Sequence, residues 1–443
     1  MPIYVMAYLL FIVLLLLVIY DKFTKNIRIY CFFVSKAIYR HIFNRILDLA
    51  VQVMTLSSEI KFLIISIPLL LIAIIVVLMQ PAMAPDSVRN TLILGEDSSL
   101  PLEKIRLPEG FSITIFAENV PNARAMAPGP NGTLFVGSRD AGSVYAVRDN
   151  DGNGKADEVV TIARNLRMPS GVAFRNGSLY VAEISRILRY DDIEARLNDP
   201  PAPVVVYDRY PKDEWHGWKY IAFGPDGLLY VPVGAPCNIC DPDDPYATIT
   251  RMKPDGTGYE VFARGIRNTV GFDWDPLTGV LWFAEMGRDY LGNDAPPDEI
   301  NKAPRHGLHF GYPYVHGRSI IDPEYGKGHS PDNYMLPEAE LDAHSSPLGM
   351  KFYTGTMFPE KYQNNIFVPE HGSWNRDTPI GYRIELLTLD DNRTVTGREV
   401  FAEGWLQGDT AWGRPVDLLQ MPDGSMLLSD DKAGVIYRIT YQK

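Results

Sequence analysis

The chain is predicted to be all-β, a six-bladed β-propeller over residues 105–443 preceded by N-terminal transmembrane helices, and three observations lead there. One hairpin plan recurs six times after residue 120. The turn positions of those hairpins, Gly132, Gly177, Gly227, Gly279, Asn365 and Gly424, follow at 45, 50, 52, 86 and 59 residues, a spacing that suits four-stranded blades with one long insertion. No helical period longer than a few turns appears beyond residue 100.

From the N-terminus, residues 1–84 read as a membrane-anchoring region. Residues 3–20 and 62–79 are uncharged, and each approaches the roughly 20 residues that span a bilayer core. Between them stand Lys22, Lys25, Arg28, Lys36, Arg40, Arg45 and Lys61. That excess of cations favours a cytoplasmic loop, which puts everything after Gln80 on the periplasmic or extracellular side. A competing reading starts at Met54 and sees a secretory signal ending in Ala82-Met83-Ala84; Pro85 directly after that site argues for retention. Either reading exports the propeller. Residues 29–54 read as an interfacial amphipathic helix or simply as the loop, and residues 85–104 as a linker.

The apolar alternation of residues 111–116 has no hairpin partner. It is assigned to the last blade, beside residues 435–440, so that ring closure ties the chain ends together. The six units then follow at residues 125–137, 171–182, 221–232, 271–283, 349–368 and 418–428. Four of them turn at Asn131-Gly132, Asn176-Gly177, Asp226-Gly227 and Asp423-Gly424, the strongest short-range hairpin signal, because a two-residue turn needs positive φ at both positions. The insertion, residues 286–346, holds Tyr290, His306, His309, Tyr312, Tyr314 and His316. A stretch of that length reads as an ordered lid over one face.

Residues 85–443 carry 35 Lys/Arg against 51 Asp/Glu, a formal charge of −16, which repels phosphate backbones and excludes nucleic acid as the partner. Of the three cysteines, Cys31 lies near the membrane segments and Cys237-Asn-Ile-Cys240 in the exported part. One such pair is half of a tetrahedral zinc site, and Asp241 stands where haem attachment needs His. A local disulfide in an oxidising compartment is favoured. Asp149, Asp151, Asn153 and Asp157 space oxygen ligands at alternate positions around glycines, as calcium loops do, although Val160 stands where an EF-hand has its glutamate. Structural Ca²⁺ is favoured there over a solvated hairpin. Sequons at Asn131, Asn176 and Asn392 weigh little, since the first two sit at predicted turns.

Chemistry is best sought just before the inner strands, which line the axis. His216 and Lys219 precede the third unit, with Trp215 and Trp218 beside the imidazole. Such a histidine suits a general base near neutral pH, and a packed imidazole explains the same facts. Arg267 and Asn268 precede the fourth unit; two adjacent donors suit a carboxylate or quinone oxygen, or a salt bridge to a neighbouring blade. His371-Gly-Ser-Trp-Asn-Arg376 and Trp412-Gly-Arg414 flank strands of the last two blades. Converging cations in an acidic domain point to an anionic ligand.

The strings His216-Gly-Trp-Lys219, Val233-Gly-Ala-Pro-Cys237, Arg264-Gly-Ile-Arg-Asn268, Asp298-Glu-Ile-Asn301, Phe352-Tyr-Thr-Gly355, Glu370-His-Gly-Ser-Trp-Asn-Arg376 and Ala411-Trp-Gly-Arg-Pro415 resemble, in order, the glucose/sorbosone dehydrogenase family, and most nearly its sorbosone branch. The resemblance implies a quinoprotein propeller that oxidises a sugar hydroxyl or hydrated aldehyde with pyrroloquinoline quinone (PQQ) and hands electrons to an external acceptor. It implies that His216 is the general base, that Arg267 and Asn268 face the quinone oxygens, and that His371, Arg376 and Arg414 contact the cofactor. It further implies Ca²⁺ held by the backbone carbonyls of Gly287 and Arg288, with Asp298 and Glu299 as the acidic pair near the calcium sites. Three departures stand out: Trp215 replaces a carboxylate of the glucose-specific branch, no glutamine lies near residues 168–171, and Met286 replaces a polar residue. They weigh against glucose itself. The alternatives are a metal-dependent propeller lactonase, which needs carboxylates ringed about the axis, and a carbohydrate-binding propeller without catalysis.

Overall fold

The computed structural model describes residues 100–442. The predicted membrane segments, 3–20 and 62–79, and the stretch joining them lie outside the described residues. Among the described residues no helix is long and apolar enough to cross a membrane.

Six four-stranded antiparallel blades follow one another along the chain. In each, the second strand is the most buried: Leu134–Ser138, Leu229–Val233, Leu281–Glu285, Ile366–Glu370 and Met426–Asp430 are buried at every residue. Such strands are covered on both faces, so they read as short apolar runs rather than alternating ones. Outer strands such as Val395–Glu403 are largely solvent-facing. Most of the core is divided into clusters that join neighbouring blades. Phe135 with Val181 couples the first to the second, Tyr230 with Phe283 the third to the fourth, and Trp282 with Phe352 the fourth to the fifth.

Ring closure is as the sequence predicts. Phe111–Ala117 pairs antiparallel with Val435–Tyr441, Ser112 opposite Thr440. Phe111 then seals the seam edge-on against Phe358, Phe401 and Tyr362. Residues 100–104, expected as linker, belong to the propeller: Leu100 and Leu102 pack on its fifth and sixth blades, and Arg106 bridges to Glu403.

The hairpin turns divide into two kinds. Asn176 and Gly177 both take positive φ, and Arg175 pairs directly with Ser178 across a two-residue turn. At Gly132, Gly227 and Gly424 the glycine alone is left-handed, and the turn is longer, as in Gly224 N to Leu228 O with Gly227 N to Gly224 O.

The expected insertion needs correction. Residues 286–346 contain Asp298–Ala303 and Ala339–Leu341, the third and fourth strands of the fourth blade. Asp298–Ala303 is polar enough to hide its alternation, and Ala339–Leu341 alternates over only three residues. The excursion is residues 304–338, and it packs sideways rather than as a lid: Leu308–His309 adds a parallel strand to Glu260–Arg264 of the third blade. His306, His309, Tyr312, Tyr314 and His316 all go with it, and none lines the cavity described next.

Candidate active site

Loops that lead into inner strands and loops that leave second strands emerge on the same end of an antiparallel hairpin. At that end of the ring they enclose a cavity of about 420 Å³. Val270, Leu348 and Val416, each just before or at the start of an inner strand, pack together beneath it. Acidic residues at the ends of second strands brace these loops. Glu183 accepts from Arg167 N at 2.6 Å, and Glu285 accepts from Arg267 N at 2.6 Å.

His216 reaches the cavity from a tight turn in which its own φ is 51°. Gly234 makes room for it: a Cβ there would lie 2.5 Å from His216 Cβ and 2.9 Å from Asn268 Oδ1. His216 Nδ1 lies 2.8 Å from Ala235 O. A carbonyl only accepts, so Nδ1 carries the proton and the Nε2 lone pair remains free. Burial, aided by the Arg267 charge, pushes the imidazole pKa down to about 3. The ring is neutral at physiological pH.

Cations gather on the opposite wall around one carboxylate. Arg124 Nη1 is 3.1 Å and Arg414 Nε 3.3 Å from Asp431, and His371 Nε2 is 3.0 Å from it. His371, the Arg124 charge and the Arg414 charge together hold the Asp431 carboxyl far below its usual range, against burial. Burial lowers His371 to about 4, so it donates to Asp431 as a neutral ring and the positive charge belongs to the two guanidiniums. Arg139 adds another, stacked 4.3 Å over the Trp218 ring. Asp431 therefore faces two arginines, while Arg139 pairs with its neighbour Asp140 at 3.4 Å.

Buried polar atoms without a hydrogen-bond partner collect here as well. Trp218 Nε1, Asn268 Oδ1 and Asn375 Oδ1 all belong to cavity-lining residues. A buried polar group left unpaired costs about 1–3 kcal/mol, so their concentration in one cavity marks a place built for a polar ligand. At the mouth Trp215 and Trp374 are 52% and 66% exposed, and Tyr290 meets Trp374 edge-on.

Of the residues singled out in the sequence, His216, Arg267, Asn268, Gly287, Asp298, His371 and Arg414 line this one cavity. Arg267 is more committed than expected: its guanidinium already donates to Asn238 O, Asn238 Oδ1 and Asp289. His371 is not the expected cation. Arg376 does not line the cavity; it donates to the carbonyls of Asn293 and Ala343 and pairs with Asp294, tying down the loop at 289–294. Asp298 and Glu299 do not form a pair in the site, because neighbours on a strand point to opposite faces. Asp298 accepts from Gly287 N and Ser346 N, both at 2.8 Å, whereas Glu299 turns away to Gly317 N and Asn301. Arg288 is likewise outside, its side chain on Asp322 and Glu324.

On the first blade, Asp149, Asp151 and Asp157 bring carboxylate oxygens within 4.8 Å of one another. Beside them Asn153 donates its Nδ2 to Asp151 and accepts from Lys155 N at Oδ1. Sequence reasoning missed Arg124, Arg139, Asp289 and Asn375. Arg124 was within reach of it, because it stands one residue before the first hairpin unit as defined from the repeat.

The family model described as glucose/sorbosone dehydrogenase matches residues 182–438. A Borreliella burgdorferi protein described as uncharacterized is 32% identical over 372 residues, covering 80% of this chain and 96% of its own length. Among solved structures, a Trichoderma reesei protein of Carbohydrate-Active Enzymes Family AA12 superposes with TM-score 0.65 at 20% identity, covering 76% of this chain and 98% of its own. The PQQ domain of pyranose dehydrogenase from Coprinopsis cinerea, in its holo form, gives TM-score 0.64 at 18% identity, over 76% and 97%. At such identities the structural likeness is one of fold.

Proposed function

The chain belongs to the glucose/sorbosone dehydrogenase family, and from that premise we propose that it is a quinoprotein that oxidises a sugar hydroxyl or hydrated aldehyde. The observation that carries this reading is the single cavity in which a neutral imidazole with a free Nε2 shares the lining with Arg124, Arg139, Arg414 and three unpartnered buried polar atoms. That donor set suits PQQ, a planar quinone bearing three carboxylates: Arg124, Arg139 and Arg414 would hold the carboxylates, and Asn268 and Trp218 lie beside them. PQQ, when bound, supplies the two-electron acceptor. The Gly287 carbonyl with Asp289 and Asp298 offers hard oxygens of the kind Ca²⁺ takes.

The chain's own part in the reaction is proton transfer and positioning. His216 Nε2 takes the hydroxyl proton as the carbon gives up its hydride equivalent. The Ala235 carbonyl keeps Nδ1–H fixed throughout and favours the imidazolium that forms. Arg267, close enough to depress the imidazole, favours return of that proton to water afterwards. Exposed Trp215 and Trp374 present apolar faces at the mouth, on which a pyranose ring can lie. We place the propeller outside the cell, anchored by residues 3–20 and 62–79, with an external electron acceptor.

The test is to load the full-length protein with PQQ and Ca²⁺ and follow dye reduction across aldoses and sugar-derived aldehydes. Turnover with at least one sugar is expected; loaded protein that turns over none of them rejects the proposal.

A further inference from the structure

The Cys237-Asn-Ile-Cys240 motif is left unused by the chemistry above, yet it sits directly behind the cavity wall. Its cysteines are joined as a disulfide, and Asn238 between them makes four hydrogen bonds to Arg267 and Asp289. The Asn238 carbonyl accepts Arg267 Nε at 2.9 Å, and its side-chain Oδ1 accepts Arg267 Nη2 at 2.9 Å. The same Oδ1 accepts Asp289 N at 2.8 Å, while Nδ2 donates to Asp289 O at 3.1 Å. Asp289 in turn pairs with Arg267 Nη2 at 3.0 Å and accepts from Asn375 Nδ2 at 2.7 Å.

We propose that the disulfide-closed turn is a positioning device: Asn238 fixes the Arg267 guanidinium in the cavity wall and locks the loop carrying Asp289 to it. The inference rests on the reading of the cavity as a PQQ site. Three physical points support it. Arg267 is 4% exposed, and a buried guanidinium without acceptors is costly, so its place depends on the acceptors that Asn238 supplies. Asn238 presents its carbonyl and amide on the same side only while the turn stays closed. The turn is also buttressed from outside, because the buried Tyr312 hydroxyl accepts from Cys240 N at 3.1 Å. Asn238 is not among the residues that line the cavity; it acts through Arg267.

The test uses the full-length protein, without cofactor, and phenylglyoxal, an arginine-directed reagent read by peptide mass spectrometry. Labelling of Arg267 is expected to rise at least tenfold in Asn238→Ala and in Cys237→Ser/Cys240→Ser, while Arg393, buried on Asp275, stays at the wild-type rate. Asn238→Asp, which keeps the acceptor oxygens, is expected to restore protection, a rescue that general loosening of the fold would not produce. An unchanged Arg267 rate in either loss variant, or a parallel rise at Arg393, overturns the proposal. PQQ titration run alongside separates the two readings. If the labelling contrast holds but wild-type protein binds no PQQ, the clamp stands and the cofactor assignment falls.

Discussion

His216→Ala removes the ring whose Nε2 is to take the substrate proton, so kcat is expected to fall by at least two orders of magnitude. PQQ affinity should stay within a factor of about three, since the arginine wall is untouched; dye-linked kinetics and cofactor titration read the two separately. The hydrogen bond to Ala235 and the lowered pKa predict a neutral Nδ1–H tautomer in the cofactor-free protein at pH 6, visible in imidazole ¹⁵N shifts; a ring half-protonated there would contradict the assignment. His371 allows a stability test. Folded, it stays neutral down to about pH 4, whereas in the unfolded chain it gains its proton near the ordinary value of about 6.5. Its lowered pKa therefore costs stability progressively as pH falls through that window, and His371→Gln should show a flatter fall in melting temperature between pH 7 and pH 4. At this scale the sequence disclosed the residues that directly precede inner strands, His216, Arg267, Asn268 and Arg414. It could not disclose Arg139, which enters from the far end of a second strand, nor that Arg376, in the same motif as His371, turns to backbone carbonyls instead.

The elements were most legible where local chemistry decides them. Turn glycines with short apolar runs on either side placed five of the inner hairpins and Asn365 the other, and the unpartnered 111–116 segment placed the ring closure, whose register pairs Ile113 with Ile439. Strand Asp298–Ala303 was lost because buried Asp298, Glu299 and Asn301 face loops and each other rather than an apolar core, and Ala339–Leu341 because three residues are too few to show a period. A strand whose inward residues are polar carries no period-two signal. The closing strand also gives the sharpest prediction for stability. Phe111 contacts three aromatic rings across the seam but is only half-buried, so Phe111→Ala should cost about 2–4 kcal/mol, near the lower part of the range for large core truncations. Denaturant unfolding measures it, and a loss below about 0.5 kcal/mol would mean that the seam does not depend on this ring.

Across the whole molecule, an acidic propeller collects arginines at one mouth. Residues 85–443 have a formal charge of −16, yet Arg124, Arg139 and Arg414 all line the cavity, the first and last of them on the single carboxylate of Asp431. Such a concentration against the background field selects a compact anion over an extended one. No single stretch of sequence shows it, because Arg414 stands 290 residues beyond Arg124 and only ring closure makes them neighbours. Titration of PQQ into the full-length protein, followed by absorbance, tests this most directly. Saturable binding of one equivalent per chain is expected, weakened at least tenfold in Arg124→Ala and again in Arg414→Ala. Absence of saturable binding, or affinity indifferent to both arginines, would contradict the account.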